Sequence, residues 1–215
     1  MKKRLLSLLL AGLFLLPSLP VLAVQWQEGV QYIPIQPAPP VADGDQVEVV
    51  EFFWYGCPHC YRFEPFVKKW LAGKPDNVHF TKIPAPFPGP AQMHAKAYYA
   101  LQLMGKDLTD PIFKAMHEQH EKLRSRQAFE DFVASQGVDR EKFRAAMDSF
   151  AVQTRFNRAQ ALARRYGINS VPSLVVDGRY RSGSGFKSYA EMTEVVDYLV
   201  DKVLEERRGG TASGD

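Results

Sequence analysis

The sequence predicts an α/β fold: one sheet domain, built from a βαβ unit and a later ββα unit, interrupted by an all-helical block. Three observations carry this. Gln46–Tyr55 and Val78–Ile83 are β-branched and aromatic runs on either side of a helical stretch. Residues 91–166 are helical in period throughout. Beyond them, two short strands around Asp177-Gly178 precede a last amphipathic helix. The expected division is a signal peptide over 1–23, the sheet domain over 24–88 and 167–207, the helical insertion over 89–166, and a disordered tail over 208–215.

The first residues, Met1-Lys2-Lys3-Arg4, are followed by an apolar run from Leu5 to Leu16, then Pro17, Pro20 and the end Val21-Leu22-Ala23. That is the layout of a secretory signal, with an apolar stretch short for a bilayer span; a retained membrane anchor is the alternative. Cleavage after Ala23 makes Val24 the first mature residue. The three charges of this segment are the whole excess of the chain's 27 basic over 24 acidic residues, so the mature part is formally neutral. Such a balance argues against a nucleic-acid partner or an anionic membrane surface.

The elements follow in order. After a proline-rich extended entry over 25–40, Gln46–Tyr55 reads as a strand buried on both faces and carrying Glu51. It runs straight into Cys57-Pro58. Proline is favoured in a helix's first turn, which puts Cys57 at the N-cap, with Phe63, Phe66, Val67 and Trp70 as the apolar face. Gly73 and Pro75 end this helix, and Pro65 marks a kink. Val78–Ile83 is the second strand, closed by prolines over 84–90. The helical block breaks at 105–111, Ser125 and Gly137, and its last helix aligns Val152, Phe156, Ala159, Leu162, Ala163 and Tyr166 before Gly167. Ser173–Val176 and Arg179–Ser182 flank the hairpin signal Asp177-Gly178. Ser188 and Glu191 then form a capping box ahead of Met192, Val195, Val196, Leu199 and Val203.

Only two cysteines are present, Cys57 and Cys60, in a chain bound for an oxidising compartment. A bridge across two residues closes too small a loop to stabilise a fold much, so the pair reads as reactive. A sulfur at a helix N-cap faces unpaired N–H groups and the positive end of the dipole, which favours the thiolate. His59 adds a hydrogen bond or a positive charge, and Pro58 fixes the turn. Thiols so placed fall to pKa values of about 3.5 to 7.5. A stable thiolate is a good leaving group, so the disulfide form should be an oxidant. Metal binding is not expected: a zinc site needs about four ligands, and no second CxxC stands nearby. Covalent haem would need His where Tyr61 stands. His79, His94, His117 and His120 read as solvated positions, and Phe129, Phe132, Phe143 and Phe156 as core of the helical block.

The segment from Glu51 through Phe52-Phe53-Trp54-Tyr55-Gly56-Cys57-Pro58-His59-Cys60 to Tyr61-Arg62-Phe63-Glu64 resembles the active-site segment of the DsbA family, periplasmic disulfide oxidases of the thioredoxin superfamily. The likeness spans nearly the whole mature chain, and Ser170-Val171-Pro172 matches the family's cis-proline loop. It implies a thioredoxin fold with an inserted helical subdomain, in a periplasmic monomer. It further implies that Cys57 is the nucleophile and Cys60 its buried partner, while Val171 and Pro172 present backbone to an extended client peptide. For Pro172 the plain alternative is a strand-initiating proline. Glu51 matches a buried acid of the superfamily and Lys82 a lysine facing it. Their role is proton traffic to Cys60 or simply a satisfied structural pair, with Glu64 a candidate for the same network. Trp54 and Tyr55 would border the client surface. Trp54 and Gly56 depart from the serine and phenylalanine associated with the family. No cofactor beyond the Cys57–Cys60 disulfide is implied. The partners implied are unfolded or reduced exported proteins and a DsbB-like membrane quinone reductase.

Two other readings fit a lone CxxC: an exported thiol reductant or disulfide isomerase, and a non-catalytic binder of unfolded proteins. The reduction potential separates them from an oxidase.

Overall fold

The computed structural model describes residues 26–39 and 44–211; the predicted signal peptide lies outside the described residues. Strands β1 (Tyr32–Pro34), β2 (Val47–Phe53), β3 (Val78–Pro84), β4 (Ser173–Val176) and β5 (Tyr180–Ser182) form one sheet in the order β1-β5-β4-β2-β3. β2 and β3 run parallel, and every other pair is antiparallel. All of β2 except Glu48 is buried, as its β-branched and aromatic composition demands. Its register sets Glu51 beside Lys82 of β3 and Leu174 of β4.

Helices α1 (Pro58–Gly73) and α7 (Tyr189–Thr211) cover one face, where Val47, Val49 and Val176 meet Val67, Val195 and Leu199. On the other face Val50, Phe52 and Val175 meet Ala163 and Tyr166 at the end of α6 (Phe150–Arg165). Between β3 and α6 lie α2 (Pro90–Leu103), α3 (Thr109–His117), α4 (Arg126–Ser135) and α5 (Arg140–Met147). Ser125, Asp139 and Ser149 cap α4, α5 and α6 by accepting a backbone N–H three residues on. Each such cap contributes about 1 kcal/mol. The core of this block, with Phe113, Phe129 and Phe143, is continuous with Phe53 and Tyr55 at the end of β2 and with Cys60 in the first turn of α1. The helical block therefore packs against the cysteine pair as well as standing beside the sheet.

Several expectations change. β1 lies in the stretch read as an extended entry; it pairs with β5 alone, and an edge strand tolerates Pro34. The long last helix of the block is divided at Asp148-Ser149, where apolar spacing hides the cap. Pro65 sits inside α1 without ending it. The tail expected from residue 208 is helical as far as Thr211, because Arg207 is buried and donates to the carbonyls of Gly44 and Gln46 and to Asp177. Asp177 and Gly178 have φ of 54° and 62°, the two left-handed residues that the hairpin signal requires. At α7 the Ser188 hydroxyl accepts the Glu191 N–H at 3.3 Å, while the Glu191 carboxylate accepts the N–H of Lys187 at 2.7 Å.

Candidate active site

Cys57 is the N-cap of α1, with extended backbone (φ −91°, ψ 115°), and its carbonyl accepts the Tyr61 N–H at 3.1 Å. Pro58 opens the helix, so the missing N–H is one that would have had no partner anyway. Cys57 retains 8% of its surface and Cys60, one turn deeper, none. The Cys57 thiol donates to the Val171 carbonyl at 3.4 Å, and the Val171-Pro172 peptide bond is cis.

The two sulfurs are strongly differentiated. Cys57 is pushed down to about 6, first by the Cys60 thiol donating to it, then by the N–H groups of Cys60 and His59 and by His59's charge, against the opposing effect of burial. Burial, and then the neighbouring Cys57 sulfur, push Cys60 far up. One sulfur is thus an anion at neutral pH and the other holds its proton. The N-cap and histidine contributions were legible in the sequence. The larger contribution, from Cys60, required the geometry.

His59 is exposed, and its side chain makes no hydrogen bond to the Cys57 sulfur. Its Nδ1 stands 3.0 Å from the Tyr189 hydroxyl and 3.1 Å from Arg62 Nη2. Arg62 lies within the segment that resembles the family but was assigned no role there, and Tyr189 lies in no motif.

Beneath Cys60, Glu51 has no exposed surface and neither of its oxygens has a hydrogen-bond partner. Lys82 Nζ lies 3.3 Å from Glu51 Oε2 and also pairs with Glu64, which brings together the three residues the sequence singled out. Desolvation pushes Glu51 up to about 7, with Glu64 adding to the rise and Lys82 opposing it. Burial works against the charge on Lys82, but the two carboxylates outweigh it and hold the lysine above its ordinary value. Glu64 and Lys82 line a cavity of about 440 Å³ between α1 and the start of α3.

Two aromatic assignments separate. Tyr55, expected at the client surface, is 1% exposed and packs edge-on against Phe53 and Phe113, so it is core and cannot touch a peptide. Alternation failed here because the chain has left the strand by Trp54. Trp54 is partly exposed and donates its indole N–H to His94 Nδ1 at 3.0 Å. A Cβ on Gly56 would lie 2.4 Å from the Trp54 ring, so the two departures from the family pattern form one arrangement. His94 itself is buried rather than solvated, its Nε2 hydrogen-bonded to the Leu123 carbonyl at 2.6 Å. His117 is half-buried, 2.7 Å from the Tyr55 carbonyl and stacked on Tyr61. His79 and His120 are exposed, as expected.

Comparison with known proteins agrees with this geometry. Residues 48–197 match the family of DSBA-like thioredoxin domains. The thiol:disulfide interchange protein DsbA of Pseudomonas aeruginosa is 38% identical over 202 residues, covering 91% of this chain and 96% of the relative. That of Burkholderia cepacia is 40% identical over 174 residues, covering 80% and 82%. The crystal structure of Pseudomonas aeruginosa DsbA superposes with a TM-score of 0.77 at 36% identity, covering 86% of this chain and 97% of the other. The Xylella fastidiosa oxidoreductase DsbA gives 0.72 at 31% identity, covering 81% and 95%.

Proposed function

The chain belongs to the family of DSBA-like thioredoxin domains and is a thiol-disulfide oxidoreductase; we propose that it works in the bacterial periplasm as an oxidase of newly exported proteins. In this reading a client thiolate attacks the sulfur of Cys57 in the Cys57–Cys60 disulfide. Cys60 leaves, takes up a proton, and a mixed disulfide joins client and Cys57. A second client thiolate attacks the client's own sulfur and expels Cys57 as a thiolate. Two electrons pass from client to protein, and no cofactor takes part. A DsbB-like membrane protein linked to quinone removes them again.

What carries the direction is the place of Cys57 at the N-cap of α1, beside the Cys60 thiol and the Cys60 and His59 N–H groups, which lowers it to about 6. At pH 7 such a thiol is roughly nine-tenths ionised, against about a hundredth for one at 9, which favours the reduced form by about tenfold. Pro58 and the N-cap hold the sulfur in place, and the Cys60 and His59 N–H groups stabilise the anion. Glu51, with its proton poised near pH 7, supplies or receives the Cys60 proton, and Lys82 and Glu64 connect it to the cavity. Val171 and Pro172, with the Trp54 indole on the loop that leads into Cys57, meet the client backbone. Tyr55 has no part in this.

Equilibration with glutathione buffers tests the reading. The expected reduction potential lies well above the value of about −270 mV typical of thioredoxin, and one near that figure would overturn it. Cys57→Ser is expected to abolish client oxidation.

A further inference from the structure

On the face of the sheet away from α1, side chains of β2, β3, α2 and α6 line a second cavity, of about 290 Å³, which is at the small end of the range for ligand pockets. Val50, Ile83 and Leu162 give it apolar walls. Tyr99 and Tyr166 also line it, each with 8% of its surface exposed, and neither hydroxyl has a hydrogen-bond partner among the described residues. Burial pushes both phenols above their ordinary value, so each keeps its proton as a donor. Arg155 and Arg158 stand at i and i+3 on α6, a helix with no acidic residue of its own, and reach the same cavity. Neither makes an ion pair among the described residues. The one acidic residue in the lining is Glu48, exposed on β2. Its charge bears on Tyr166, whereas both guanidinium charges bear on Tyr99.

We propose that this cavity is a binding site for a small organic carboxylate, held at its charged end by Arg155, Arg158 and the Tyr99 hydroxyl and along its apolar body by Val50, Ile83 and Leu162. A guanidinium has only N–H donors, and two of them one helical turn apart repel each other. A carboxylate answers both, because its two oxygens accept from the planar forks and still have a lone pair for a phenol O–H. The Tyr99 hydroxyl, with so little surface in water, gains an acceptor in the same step. A singly charged group suits the site better than a phosphate, since Glu48 adds a negative charge to the lining. The small volume limits the rest of the ligand to about one ring or a short chain. The site stands independently of the oxidase reading: it lies across the sheet from α1, so its ligand and a client at Cys57 do not compete for one surface.

Titration of the mature protein with benzoate, followed by the amide resonances of Thr81, Ile83 and Leu162, tests the proposal. Saturable shifts confined to these amides and their neighbours are expected. Benzamide, which has the same shape without the charge, should bind about tenfold more weakly, and so should inorganic phosphate, which has the charge without the apolar body. Replacing both Arg155→Gln and Arg158→Gln is expected to weaken benzoate about tenfold, and Tyr99→Phe, which keeps the ring, about fivefold. Arg164→Gln, a change on the far side of α6, should leave the affinity unaltered. Shifts that never saturate, equal affinity for benzamide or phosphate, or an equal loss in the Arg164 variant would each overturn the site. So would unchanged binding in the Arg155 and Arg158 double variant. All three arginines are exposed, so the variants keep their fold, and an unaltered far-field amide spectrum verifies it.

Discussion

Glu51 is a carboxylate with no surface in water, one ammonium at 3.3 Å and a value pushed up to about 7. Because this stands above the unfolded value of about 4.3, the folded chain holds the proton more tightly, and stability falls as pH rises from about 4.5 through 7. Glu51→Gln removes that fall. The expected outcome is equal stability to urea at pH 4 and a gain of about 1 kcal/mol or more at pH 8, the charged-state cost being partly offset by a buried amide. Lacking a titrating group, the same variant should form the client–Cys57 mixed disulfide, the step in which Cys60 leaves and takes up a proton, about tenfold more slowly, in stopped-flow fluorescence. Cys57 and Cys60 were legible in the sequence because a helix start fixes their surroundings, whereas the roles of Glu51 and Lys82 were reached through the family resemblance. Tyr55 was misread, and no role was read for Arg62 or Tyr189. What decides those three is which side chain reaches across from a distant element, and period alone does not encode that.

At the level of elements, the main strands and helices were legible because buried strands and amphipathic helices carry their period in every residue. β1 was not, since three residues among prolines have no period, and its place is set by what β5 and the loop after it require. That loop fits tightly. The N–H groups of Ser184 and Gly185 donate to the Val30 carbonyl and that of Gly183 to Gln31. A Cβ on Gly183 would lie 2.0 Å from the Val30 oxygen. The neighbour is backbone and cannot rotate aside, so Gly183→Ala is expected to cost about 2 kcal/mol or more and to loosen β1, with raised amide exchange at Tyr32 and Ile33. His94 acts similarly for the active-site loop: a buried imidazole on α2 holds the Trp54 indole on one side and the Leu123 carbonyl on the other.

For the whole molecule, the oxidation state and the stability of the fold are linked. The Cys57 value in the folded chain is depressed below its unfolded value of about 8.5. Its contribution to the reduced form is therefore fully present above that pH and lost as pH falls through 6. The oxidised chain has no thiol to ionise. Calorimetry should show the melting temperature of the reduced chain gaining on that of the oxidised chain by about 4 °C between pH 5 and pH 7, and parallel profiles would contradict this. The sheet order has a further consequence for the timing of activity in a chain made from its N-terminus. β2 gains β3 early, but its other neighbour, β4, and the Val171 carbonyl that meets Cys57 come only after the entire helical block, and β1 waits at the edge for residues 180–182. A half-emerged chain carries both cysteines before β4 and the Val171 carbonyl can close over them. The sheet around the cysteine pair is thus completed in a single late event, when the last fifth of the polypeptide arrives.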